Sequence, residues 1–92
     1  MDPQRLWMLL NELAGQLGLE VRLESLEDGE GYKAQGGFCR IGDRLVAFVD
    51  RRLPPEARAR QLGSALSQMD LNGVYVRPAV RDFLEELKTD QT

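Results

Sequence analysis

Apolar residues recur at two different periods along this chain, and each change of period marks an element. Leu6, Leu9, Leu10, Leu13 and Leu17 stand three or four positions apart. That spacing predicts an amphipathic helix, with Trp7, Met8 and Ala14 widening its stripe. Asp2 is a suitable N-cap, Pro3 fits the first helical position, and Gly18 is placed to end the helix. Gly15 lies inside it at a cost of about 1 kcal/mol relative to alanine. Trp7 reads as an anchor, in the core or at an interface.

From Leu19 the period becomes two. Leu19, Val21 and Leu23 alternate with Glu20, Arg22 and Glu24, the pattern of a strand with one wet face. Ser25 to Gly31 is acidic and glycine-bearing, and reads as a turn or loop. A hairpin is expected over Tyr32 to Asp50, with Gly42-Asp43 as a two-residue type II′ turn. This register pairs Ile41 with Arg44, Arg40 with Leu45, Cys39 with Val46, Phe38 with Ala47 and Gly37 with Phe48. One face then carries Cys39, Ile41, Val46 and Phe48, and the other Phe38, Leu45, Ala47 and Val49. Both are largely apolar, so Leu45 to Val49 is expected to be a central strand covered on both sides. Helices cover one face, leaving the other for a different cover such as a second copy. Gly36-Gly37 opposite Phe48 reads as room for a ring or a bulge, since no strand–loop–helix order or lysine marks a phosphate loop.

Helical spacing returns after Leu53-Pro54-Pro55-Glu56, where two prolines fix the entry and an acid sits in the first turn. Ala59, Leu62, Ala65, Leu66 and Met69 form the buried stripe, and the small Gly63, Ser64 and Ser67 allow a close neighbour. Leu71-Asn72-Gly73 is the expected stop. Val74 to Val76 is a short extended piece whose place in the sheet stays open. Pro78 opens a third helix with Val80, Phe83, Leu84 and Leu87 inward. The expected fold is α+β in the order α-β-β-β-α-(β)-α, a small, mainly antiparallel sheet with helices packed on it. Residues 1–88 form a single domain and 89–92 a frayed tail.

Composition adds limits. A chain of 92 residues buries only about 60–65% of its unfolded surface. The net charge of −3 offers no general attraction to nucleic acid or to anionic lipid. The charges are segregated: Glu20 to Glu30 holds five acids against one arginine, and Arg51 to Arg60 holds four arginines against one acid. Such runs are mostly solvated surface; the sharper reading is a pair of complementary patches or an arginine site for an acidic partner. The single cysteine, Cys39, permits no internal disulfide and favours a reducing, cytoplasmic compartment. No membrane span or basic leader segment is visible.

The absence of histidine removes the common nucleophilic triads and most zinc sites. Glu27 to Glu30 lacks the spacing of a calcium loop. Cys39, mid-strand on an apolar face, reads as a small hydrophobe. Tyr32 and Tyr75 are isolated aromatics without a basic groove.

The hairpin from Gly36 through Arg44 to Asp50, followed by Leu53-Pro54-Pro55-Glu56 and a helix to Met69, resembles the core of small zinc peptidases of the ImmA/IrrE type. The resemblance covers about a third of the chain. Where that family carries HExxH, this chain reads Ser64-Ala65-Leu66-Ser67-Gln68. The resemblance therefore implies the scaffold reused for binding, without metal, cofactor or peptidase chemistry.

These readings lead to a non-catalytic interaction or structural module that associates with itself or with another protein. Its candidate interface is Trp7, Phe38, Leu45, Ala47 and Val49. The alternatives are an anion-binding regulatory domain using Arg51, Arg52 and Arg58, or an enzyme built from carboxylate and arginine, such as Asp50 with Arg52.

Overall fold

The computed structural model describes residues 1–25 and 38–90. Its elements are α1 (Pro3–Leu17), β1 (Leu19–Glu24), β2 (Phe38–Ile41), β3 (Arg44–Asp50), α2 (Pro55–Leu66) and α3 (Pro78–Asp90). The segment Ser25 to Gly31 beyond its first residue, Gly36-Gly37 and the pairing of Gly37 with Phe48 lie outside the described residues.

The sheet has the order β1-β3-β2. β2 and β3 pair antiparallel in the expected register, Phe38 with Ala47 through Ile41 with Arg44. Gly42 has φ +61° while Asp43 does not enter positive φ, the signature of a type II′ turn. β1, however, runs parallel to β3, from Leu19 opposite Leu45 to Glu24 opposite Asp50. The sheet is therefore mixed rather than mainly antiparallel. β1 lies against the far side of β3, which makes β3 central, as its apolar run requires.

Leu19, Val21, Leu45, Ala47 and Val49 share the face that packs with α1 and α2 in the main core. Leu10, Leu62, Leu66 and Val49 are fully enclosed there. α3 packs on α2 and adds Val80, Leu84 and Leu87. The opposite face holds a smaller buried cluster of Val46 and Phe48, with Cys39 packed against it.

Helix termini account for the remaining differences from expectation. Gly18 closes α1 in the left-handed region, its N–H donating to the Ala14 and Gly15 carbonyls. Asp2 occupies the N-cap position without a side-chain capping bond. α2 ends at Leu66, before Leu71-Asn72-Gly73. Past that point the N–H groups of Gln68 and Met69 reach back only three residues, and the Ser67 hydroxyl donates to the Ser64 carbonyl at 2.8 Å. Gly73 instead serves a separate turn at φ +82°. Val74 to Val76 stays out of the sheet, with Val76 buried and Tyr75 exposed. α3 continues to Asp90, past the boundary expected after residue 88.

Candidate functional site

The arginine run begins where β3 ends. Asp50 there accepts three hydrogen bonds from Arg52: backbone N–H to Oδ1 at 3.0 Å, Nε to Oδ1 at 3.1 Å and Nη2 to Oδ2 at 2.8 Å. The first closes a small turn, and the other two form the fork that arginine makes with a carboxylate. The Asp50 side chain is only 12% exposed. The Arg52 side chain and then its backbone N–H hold the carboxyl below its ordinary pKa. Gln61 on α2 accepts the Asp50 N–H at 2.9 Å, which fixes β3 to the helix. The pair singled out as an enzyme candidate does meet, but a carboxylate so occupied is a poor general base.

Arg58 turns away from this cluster toward α1. Its guanidinium lies 5.1 Å from the centre of the Trp7 ring, within cation–π range, and its Nε is buried without a hydrogen-bond partner. Of the three candidate anion ligands, Arg52 is bonded to Asp50, Arg58 is stacked on Trp7, and Arg51 is exposed. The helix start beside them is a weak anion cradle, since Pro54 and Pro55 supply no N–H groups and Glu56 adds negative charge.

The interface candidates separate as well. Ala47 and Val49 are 1% and 0% exposed, and Leu45 packs against the same core. Their face is the one that the chain's own helices α1 and α2 fill. The ambiguity arose because both hairpin faces are apolar. The Phe38 side chain lies outside the described residues. Trp7 is half-buried between α1 and α2.

A different surface emerges at β1. Among the described residues no strand pairs with its outer edge. The Arg51 N–H donates to the Glu24 carbonyl at 3.1 Å, so the backbone groups of Glu24 point toward β3. By strand alternation those of Glu20 and Arg22 do the same, and those of Leu19, Val21 and Leu23 point outward. Leu23 is 41% exposed. On the other face of this strand Glu20 bonds Arg22 Nε at 2.6 Å and Arg44 Nη1 at 3.0 Å. Those two partners, Arg22 first, hold the Glu20 carboxyl below its usual range. The alternation of Leu19 to Glu24 marked the strand, but nothing local in it said that the strand would be an edge.

Two shallow clefts flank Val76. One of about 110 Å³ lies between α1 and Tyr75, and the other, about 280 Å³, lies between the 67–72 turn and α3. The larger is lined by Ser67 together with Asp70 and Glu85, and the Ser67 hydroxyl donates to the Ser64 carbonyl. Ser64 to Gln68, compared above with HExxH, fall at the end of α2, where Ala65 and Leu66 are buried and the Ser64 carbonyl accepts hydrogen bonds from Ser67 and Gln68. Among the described residues no three histidine, cysteine or acidic side chains are grouped to hold a metal, and no helix is long and apolar enough to cross a membrane.

Comparison with protein-family profiles, curated proteins and solved structures found no match to this chain.

Proposed function

We propose that this chain is a non-catalytic interaction or structural module whose partner is a polypeptide, a second copy or another protein, in a reducing cytoplasmic compartment. The observation that carries this reading is the outer edge of β1, with which no strand pairs among the described residues and where outward backbone groups lie beside the exposed Leu23. An edge of this kind is a template for strand addition, a recurring way in which a sheet recognises another chain. The degenerate zincin-like scaffold suggested by the hairpin and α2 is compatible with such a binding role.

Small-anion binding is the weaker alternative, because Arg52 and Arg58 already have partners within the chain. A thermal-shift series with phosphate, nucleotides and dicarboxylates, run beside light scattering over a range of protein concentrations, separates the two. The interaction reading expects assembly and no stabilisation by these anions. A monomer stabilised by an anion, with the effect lost in Arg51→Ala, contradicts it.

A further inference from the structure

We infer that two copies of this chain pair through their β1 strands, antiparallel and centred on Val21, to make one continuous sheet that joins the three described strands of each copy. This rests on the interaction reading and names its partner.

The backbone supplies the first argument. A closed two-fold pair of identical edge strands must run antiparallel. Because Leu19, Val21 and Leu23 direct their N–H and C=O groups outward, a pair centred on Val21 places Val21 opposite Val21 and Leu19 opposite Leu23. All are hydrogen-bonded pairs. The outward groups of both copies are then satisfied together.

The side chains supply the second. In this register Glu20 of one copy stands opposite Arg22 of the other, twice, at non-hydrogen-bonded positions where side chains come closest. Within each copy Glu20 already bonds Arg22 and Arg44, so the pairing extends an existing alternation of sign across the two-fold axis. On the other face the exposed Leu23 comes against Leu19, continuing the apolar row that α1 and α2 cover. A register centred on Arg22 keeps the same faces together but sets Glu20 against Glu24 and Arg22 against Arg22. Like charges opposite one another oppose that arrangement, and a register centred on Leu23 sets Arg22 against Glu24 but pairs only the last three residues of β1, so charge and pairing length together favour the Val21 register. The other edge strand, β2, is shorter, at four residues.

Charge reversal tests the pairing. Arg22→Glu alone sets two acids opposite each other across the axis, and Glu20→Arg alone sets two arginines opposite each other, in each case twice per dimer. Each variant is expected to weaken the dimer by about tenfold or more. An equimolar mixture of the two restores opposite charges at both contacts and regains the dimer mass by light scattering. Circular dichroism confirms that each variant is folded. If either is not, Leu23→Lys at its exposed site decides in the same way, by loss of the dimer. A wild-type assembly indifferent to these variants overturns the β1 pairing and leaves the interaction reading standing. A wild-type monomer at every attainable concentration also overturns the pairing, and the anion series above then decides the reading itself.

Discussion

A Cβ added at Gly63 would lie 2.7 Å from Cδ1 of Leu87, and equally close to Cε2 of Phe83. α2 and α3 therefore approach to a distance that glycine permits and larger residues do not. Gly63→Val is expected to destabilise the fold by about 1–3 kcal/mol through overpacking. Gly63→Ala costs less, because gained helix propensity offsets part of the clash. Gly15 is the counterpart: it is helical, with nothing within 4 Å of an added Cβ. Gly15→Ala is expected to stabilise by up to about 1 kcal/mol. Urea denaturation of the variants checks both signs.

Asp50 and Arg52 make stability depend on pH in one direction. The folded-state pKa of Asp50 is depressed by Arg52. Its contribution is therefore complete above the unfolded value and is lost as pH falls through the folded one. Glu20, depressed by Arg22 and Arg44, acts in the same sense. Thermal midpoints of wild type and Asp50→Asn should differ at pH 7 and converge below about pH 4. A difference that stays constant through that range would remove the ion pair from the explanation.

Trp7 and Arg58 join α1 to α2 through a contact with opposing parts. The guanidinium gains from the ring, while the buried Nε lacks a partner. Arg58→Met keeps much of the packing and relieves the unpaired donor, so its net cost is expected to be small. Trp7→Leu loses ring burial as well. A double-mutant cycle should give a coupling of about 0.5–1 kcal/mol; a coupling of zero would mean that the stack contributes packing alone.

Val49 is fully buried in the main core. Val49→Glu leaves an unpaired carboxylate there and is expected to abolish the fold, not merely an assembly. Loss of the dispersed amide NMR spectrum checks this. A folded Val49→Glu monomer would place Val49 at an interface after all.

The hairpin was legible in the chain because its information is local. Glycine at the first turn position fixed the register, and the register fixed which side chains share a face. The faces themselves were not distinguishable, since Leu45, Ala47 and Val49 are as apolar as Val46 and Phe48, and only the helices' positions decide between them. The parallel placement of β1 is equally invisible locally, because a strand's own alternation does not name its neighbour. The expected second helix outran α2 because Gly73 is a stronger stop signal than Ser67, yet Ser67 is where the backbone tightens. In the candidate site, Asp50 and Arg52 are two residues apart and could be paired by inspection. Trp7 and Arg58 are far apart in the chain and meet only through the packing of two helices.

Amide hydrogen exchange along β1, measured at low and high protein concentration, reads the β1 pairing residue by residue. The amides of Arg22 and Glu24 point toward β3 and should exchange slowly at both concentrations. Those of Val21 and Leu23 point outward, and their protection is expected to rise with concentration as the dimer forms. Fast exchange of Val21 and Leu23 at every concentration, beside slow exchange of Arg22 and Glu24, would contradict it.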